Sequence, residues 1–102
     1  MWDIRFQGLR LEVTLAAARE LLHEGLDLTD VVDILEQGHD CGTGRRSAEI
    51  RERCLRRGKR VWKAVVAETR VRHPDGESEK VWRLIHVGSF TYSRRHAARR
   101  ET

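Results

Sequence analysis

Residues 25–38 read GLDLTDVVDILEQG, which is the clearest helical pattern in the chain. Asp27 is a good N-cap residue, and Asp30 adds negative charge to the first turn, where the helix dipole favours it. Apolar residues then recur at the spacing i, i+3, i+4 and i+7, and Gly38 ends the run, so we predict a helix here. The apolar stripe consists of Leu28, Val31, Val32 and Leu35. The opposite, acidic face carries Asp30, Asp33 and Glu36.

A second helix is predicted directly upstream of this one. Thr14 is its N-cap, and Gly25 is its natural end. Leu15, Ala18 and Leu22 repeat on one face, with Leu21 beside them, which predicts the apolar face of this helix. Two helices joined so closely must pack as a hairpin.

Strand patterns lie on both sides of the helix pair. From Trp2 to Val13 apolar and polar residues alternate, and the parity changes at Gly8, which predicts a strand with a bulge or turn. After the helices we predict a strand from about Arg51. Glutamate–arginine pairs at i, i+4 between residues 47 and 57 leave a helix as the alternative for this stretch.

Two turns divide the rest of the chain into further strands. Gly58 lies in the first turn, and residues 73–76, HPDG, form the strongest turn signal in the chain. The strand between them begins near Val61, and the strand after them covers residues 80–87 with apolar residues on both parities, as in a central strand. We expect Gly88 to interrupt this last strand.

These elements predict an α+β fold. A two-helix hairpin packs on a three- to four-stranded, mainly antiparallel sheet, in the order β-α-α-β-β-β. We predict one domain over residues 1–93 and a basic, disordered tail over residues 94–102. No apolar run approaches the roughly 18 residues of a spanning helix, and the N-terminus lacks a signal-peptide pattern, so we expect a cytoplasmic protein.

The formal net charge of +4 conceals a split between the halves. Residues 1–44 hold three arginines against nine acidic residues, whereas residues 45–102 hold 17 lysines and arginines against seven acidic residues. Such asymmetry indicates an anionic partner. The alternative is that the two halves face one another and partly neutralise.

The two cysteines, Cys41 and Cys54, are too few for a secreted domain stapled by disulfides, so we expect free, buried thiols. With His39, and with His23 or His86 as a fourth ligand, they are competent to bind zinc. No CxxC or HxxxH pair anchors such a site, so we predict no metal and no other cofactor.

The chain resembles the domain-of-unknown-function 4258 family, small domains related to the RelE and BrnT ribonuclease toxins. The resemblance rests on residues 25–38 after a glycine-ended helix and on the later strands 58–67 and 81–88, and it covers about residues 12–90. It implies a RelE/BrnT-like fold, toxin-like binding or cleavage of RNA, and an antitoxin-like protein partner. Many such sequences open the first helix with a histidine–alanine pair. Here those positions read Ala16-Ala17 or Ala17-Ala18, so a role of that histidine is not transferred.

Cleavage of RNA without a metal needs a base near the 2′-hydroxyl, an acid near the leaving oxygen and cations at the phosphate. The basic half offers His86 as acid or base, with Lys63, Arg53 and Arg46 as cations. No spacing fixes these residues together, and a histidine inside an apolar strand is more often a packed core residue.

A set of basic residues flanks two turns, the glycine-containing loop at residues 42–44 and the turn at Gly58, where a phosphate backbone could reach them. The set is Arg45, Arg46, Arg56, Arg57, Lys59 and Arg60. The alternative is a solvated sheet edge, which basic residues also protect from strand pairing. Trp62 and Trp82 could stack on bases, but we expect them in the core.

Two functions are consistent with these patterns. The first is a toxin-like RNA-binding or RNA-cleaving domain. The second is a non-enzymatic protein-interaction module that uses the acidic helix face. The sequence leaves open whether the domain is an enzyme.

Overall fold

The computed structural model describes residues 4–41 and 49–92, which form an α+β fold of two helices and a mixed six-stranded sheet. The elements are β1 (Arg5–Phe6), β2 (Leu9–Val13), α1 (Leu15–Glu24), α2 (Leu28–Gln37), β3 (His39–Asp40), β4 (Ile50–Arg57), β5 (Arg60–Arg72) and β6 (Ser78–Thr91). The α+β prediction is confirmed. The sheet exceeds the three or four strands that we expected because the two-residue strands β1 and β3 extend its two edges.

The strand order across the sheet is β1-β2-β6-β5-β4-β3. All neighbours are antiparallel except β2 and β6, which pair in parallel from Arg10 opposite Val81 to Val13 opposite Leu84. The long strand β6 is therefore central, and its buried residues fall on both parities, as predicted. The main core cluster consists of Phe6, Leu11, Ala17, Leu21, Val31, Ile34, Leu35, Ala64, Val66, Trp82, Leu84 and Val87.

The helix caps follow the sequence prediction. The Thr14 side chain accepts from the Ala17 N–H, and Gly25 ends α1 with a left-handed φ of 69°. Asp27 and Asp30 form a reciprocal capping box at the start of α2. Neither helix in the described part of the chain has the length and apolar character that crossing a membrane requires.

The predicted apolar face of α1 is not the face that packs on the sheet. Its buried residues are Ala17 and Leu21, whereas Leu15 and Leu22 are 69% and 83% exposed. In this orientation Glu20 and Glu24 contact β6, through the Val87 N–H and the Ser89 hydroxyl. The apolar pattern of α1 thus leaves two leucines on the surface.

The turns and the strand that begins near Arg51 are confirmed, and the helical alternative for that stretch is wrong. Gly58 and Gly76 adopt left-handed φ values of 63° and 90° in their turns. Gly88 does not interrupt the last strand, since β6 continues to Thr91. The irregularity lies earlier, because Val65 pairs with His86 and Val66 with Leu84, which leaves Ile85 without a partner on β5.

Cys41 and Cys54 form a disulfide with their Cα atoms 5.9 Å apart, so the expectation of free thiols is wrong. The pairing of β3 with β4 places His39 opposite Cys54, and the Cys41 N–H donates to the Glu52 carbonyl at 3.2 Å. Backbone pairing therefore brings together two cysteines whose proximity their spacing in sequence does not predict. Disulfides are uncommon in the cytoplasm, and the predicted cytoplasmic location stays a prediction.

Gly38 lies where α2 meets β4, and any larger residue there would be crowded. A Cβ atom on residue 38 would approach the Ile34 carbonyl oxygen and stand 2.5 Å from the Cys54 carbonyl oxygen. Both neighbours belong to hydrogen-bonded backbone that cannot move aside cheaply. We expect Gly38→Ala to lower the free energy of unfolding by about 1–3 kcal/mol, as overpacking does, measured by urea denaturation.

Gly88→Ala is the matched control for this measurement. A Cβ atom there would meet no heavy atom closer than the His86 Nε2 at 3.6 Å, which is ordinary contact. Its unfolding midpoint should therefore stay close to that of the wild type. Equal midpoints for the two variants would contradict the tight packing of α2 against β4.

An ion network joins β2 to the start of β6. Arg10 contacts Glu79 at 3.1 Å and Glu12 at 3.3 Å, and His73 Nε2 lies 2.8 Å from Glu79 Oε1. Hydrogen bonds from Arg10 and then His73 lower the pKa of Glu79 from its ordinary 4.5 to about 2. The ionised carboxylate is thus favoured in the folded state.

The network predicts a defined pH dependence for Glu79→Gln. Because the folded pKa of Glu79 is depressed, its contribution to stability is present above pH 4.5 and is lost as the pH falls towards 2. The variant should therefore have a lower melting temperature than the wild type near neutral pH, and the two should converge at the acid end. A constant difference between their thermal unfolding curves across this range would contradict it.

Candidate functional site

An open groove of about 630 Å³ lies between α1 and the later part of β6. Its lining residues are Arg19, Glu20, His23, Glu24, Lys63, His86, Val87, Gly88, Ser89 and Phe90. Two of the predicted catalytic residues, His86 and Lys63, thus lie in one groove. It also contains two glutamates and a second histidine, so it offers proton donors, proton acceptors and cations together.

The groove exists because β2 is shorter than its neighbour. The parallel pairing ends at Leu84, whereas β6 continues to Thr91, and α1 covers the edge that β2 leaves open. The Val87 N–H on this edge donates to Glu20 Oε1 at 3.3 Å, and the Ser89 hydroxyl donates to Glu24 at 3.3 Å. The Glu20 carboxylate therefore satisfies a backbone N–H that a further strand would otherwise pair with.

His86 forms a close pair with Glu20. Its Nδ1 lies 2.7 Å from Glu20 Oε2, and the side chains are 50% and 35% exposed. His86 is therefore not a packed core residue. Its other nitrogen, Nε2, lies beside Gly88, where a Cβ atom would be 3.6 Å away. This edge of the ring borders the groove.

Lys63 stands beside His86 on the same face of the sheet. In the cross-strand register Glu52, Val65 and His86 form one row, and Cys54, Lys63 and Gly88 form the next row whose side chains lie on the same face. The Lys63 ammonium is 3.7 Å from the buried Glu52 carboxylate. One cation and one imidazole therefore occupy neighbouring rows.

The structure does not bring Arg53 to this groove. Its guanidinium donates to the carbonyl oxygens of Leu35 and Gly38 and to the Asp40 carboxylate, at 3.0, 2.5 and 3.0 Å. These contacts satisfy backbone acceptors at the end of α2. Arg53 is therefore reassigned to a structural role. Arg46, with Arg45, lies outside the described residues.

The remaining predicted RNA-binding residues surround Gly58 in the β4–β5 turn, and all four are exposed. We call this set the basic turn; it consists of Arg56, Arg57, Lys59 and Arg60. The Arg56 guanidinium lies 3.7 Å over the ring of Tyr92, and the Arg60 guanidinium lies 5.6 Å from the ring of Trp62. Arginine and aromatic faces are thus interleaved at this end of the sheet.

A chain of polar contacts connects the basic turn with the groove. Arg60 Nε donates to Ser89 Oγ at 3.1 Å, and the Ser89 hydroxyl donates to Glu24. Ser89 and Glu24 both line the groove. The basic turn is therefore connected through Ser89 and Glu24 to the groove that His86 and Lys63 also line.

The charges of the two halves do partly neutralise, as the alternative interpretation held. Asp40 pairs with Arg51 and Arg53, and Glu12 pairs with Arg83. Among residues 4–41 and 49–92, however, no member of the basic turn forms an ion pair with an acidic side chain. The positive charge at this turn is therefore left for other partners.

Several groove residues were missed by reasoning from sequence. Glu20 is the most important of them, and its spacing of four residues from Glu24 on α1 was the available signal. The partner of Glu20 lies far along the chain, on β6, so the spacing of the two glutamates could not predict which residue Glu20 contacts. Tyr92 was also missed, because its stacking with Arg56 depends on the pairing of β5 with β6.

The described residues contain no group of three or more histidine, cysteine or acidic side chains arranged to hold a metal ion. The sulfur atoms of Cys41 and Cys54 are bonded to each other and do not act as thiolate ligands in this state.

No family model, curated protein or solved structure matches this chain. The resemblance to the domain-of-unknown-function 4258 family and to a RelE-like fold therefore stays a prediction.

Proposed function

We propose that this domain is a toxin-like RNA-binding protein with endoribonuclease activity. One observation carries the proposal, namely the contact chain from Arg60 through Ser89 to Glu24, which links the exposed basic turn to the groove of His86. The resemblance to RelE/BrnT-like toxin domains, with an antitoxin-like protein partner, agrees with it.

RNA binding is assigned to the basic turn. Arginine presents a planar fork that fits phosphate oxygens, and stacking on Tyr92 and Trp62 restricts Arg56 and Arg60 before binding. Contacts of this kind recognise the backbone and not the base sequence. The binding should therefore be sequence-tolerant and sensitive to salt.

Cleavage is assigned to the groove. The His86 imidazole takes the proton of a ribose 2′-hydroxyl, and the resulting 2′-oxygen attacks the adjacent phosphorus. The bond between phosphorus and the 5′-oxygen breaks, and water in the open groove supplies a proton to the leaving oxygen. The products are a 2′,3′-cyclic phosphate and a 5′-hydroxyl. Lys63 offsets the negative charge that develops on the phosphate.

Charge reversal at the basic turn tests binding. The triple variant Arg56→Glu, Arg57→Glu, Arg60→Glu should abolish binding of single-stranded RNA and still fold, since exposed turn residues contribute little to the core. For the wild type, about four phosphate contacts predict a slope near −3 in a plot of log affinity against log salt. Fluorescence anisotropy with a labelled oligonucleotide measures both.

Arg70→Glu, Arg72→Glu is the matched control, because both arginines are exposed on β5 at its other end. It should bind RNA almost as the wild type does. RNA binding that does not depend on salt, or no binding at low ionic strength, would contradict the proposal.

Substitution in the groove tests cleavage. His86→Ala should slow cleavage by about 10²- to 10⁴-fold, the usual contribution of a general acid–base group, without weakening RNA binding. Gly88→Ala should also slow it, because the added methyl group stands at the Nε2 edge of the ring. Electrophoresis of end-labelled RNA, with identification of the cyclic phosphate, is the measurement.

His39→Ala serves as the control histidine, since His39 is exposed on β3 and does not line the groove. This variant should cleave at the wild-type rate. If His86→Ala also cleaves at that rate, the groove is not the catalytic site.

One observation favours the second candidate, a protein-interaction module. Leu15 and Leu22 of α1 are largely exposed, and Glu36 lies exposed on α2. A partner with apolar and basic side chains would suit such a helix surface. Failure of the RNA-binding experiment would leave this candidate as the better proposal.

A further inference from the structure

Glu20 is held at both of its carboxylate oxygens by consecutive residues of β6. Oε2 lies 2.7 Å from His86 Nδ1, and Oε1 accepts from the Val87 N–H at 3.3 Å. The backbone contact fixes the carboxylate against a central strand. Its position is therefore defined by the sheet as well as by the helix that carries it.

The carboxylate determines which ring nitrogen of His86 carries the proton. An ionised carboxylate only accepts hydrogen bonds, so the nitrogen that faces it must be a donor. In a neutral imidazole the other nitrogen is then the acceptor. Since Nδ1 faces Glu20, the lone pair lies on Nε2, at the edge that borders Gly88 and the groove.

We infer that Glu20 is a positioning residue that holds neutral His86 in the Nδ1–H tautomer and directs the Nε2 lone pair into the groove. The inference rests on the proposed function in one respect only, which is that the lone pair accepts the proton of the RNA 2′-hydroxyl. Nε2 gains this proton, Nδ1 keeps its own, and Glu20 stays ionised beside the imidazolium that forms. His86 is thus the base, and not the acid, of the first step.

The other acidic residues near the groove are engaged elsewhere. Glu24 accepts from the Ser89 hydroxyl, and Glu52 pairs with Lys63. A half-exposed ion pair contributes little to stability. The pair of Glu20 and His86 is therefore better explained by orientation of the imidazole than by stabilisation of the fold.

The tautomer can be measured directly on the full chain by long-range ¹H–¹⁵N NMR, at a pH at which the imidazole is neutral. In the wild type, His86 Nδ1 should give the shift of a protonated ring nitrogen and Nε2 that of an unprotonated one. Glu20→Gln should keep this pattern, because its amide oxygen can still accept from Nδ1–H. Glu20→Ala should lose it, with the Nε2–H form becoming populated.

Glu12→Gln is the matched control, because Glu12 also pairs with a side chain of β6, Arg83, and lies outside this groove. It should leave the His86 spectrum unchanged. An Nε2–H form in the wild type, or an unchanged tautomer in Glu20→Ala, would overturn the inference. The wild-type and Glu20→Gln spectra decide it even if Glu20→Ala fails to fold.

Cleavage kinetics give a second readout. Glu20→Ala should lower kcat by about 10- to 100-fold with little change in KM, because the basic turn still binds the RNA, and Glu20→Gln should recover part of the loss. The two proposals fail separately. A wild-type protein that shows the inferred tautomer but leaves RNA intact supports the role of Glu20 and rejects the proposed function. Cleavage by His86 with the opposite tautomer rejects the role of Glu20 and keeps the function.

Discussion

The parallel pairing of β2 with β6 is the constraint on which the rest of the molecule depends. It ends where Thr14 turns the chain into α1, with the Thr14 N–H donating to the Leu84 carbonyl and its hydroxyl oxygen accepting from Ala17, both at 3.1 Å. Beyond this point, among the described residues, β6 has only β5 as a strand neighbour. Its open edge must be satisfied by other groups, and Glu20 supplies one. The geometry that places α1 therefore also brings a carboxylate to His86.

The sequence predicted those parts of the fold that depend on interactions between residues close together in the chain. The cap residues Thr14 and Asp27, the turn glycines and the strand from Ile50 all follow from residues close together in sequence. The orientation of α1 was not predictable in this way, because its buried residues and its contacts with β6 involve partners distant in sequence. Cys41 and Cys54 were likewise brought together by strand pairing, which their spacing does not encode.

The candidate site was predictable only as a list of residue types. His86 and Lys63 share a groove because strand register aligns their rows, whereas Arg53 has the same charge but completes hydrogen bonds at the end of α2. Whether an arginine is paired also depends on its position. Among the described residues, arginines that lie opposite acidic side chains form ion pairs with them, and the arginines around Gly58 do not. Position in the sheet, and not residue type, separates structural cations from those available to a ligand.

The exposure of His86 depends on one extra residue in β6. If pairing continued regularly from Leu84 opposite Val66, His86 would lie opposite Ala64. Its side chain would then point into the core, as those of Leu84, Val66 and Ala64 do. Instead Ile85 has no partner on β5, so His86 lies opposite Val65 and Val87 takes the place opposite Ala64. Val87 is buried in the core cluster as a result, and the imidazole reaches the groove. Bulges commonly redirect side chains next to functional sites. The irregularity explains why alternation in the sequence favoured a buried histidine where the structure has an exposed one.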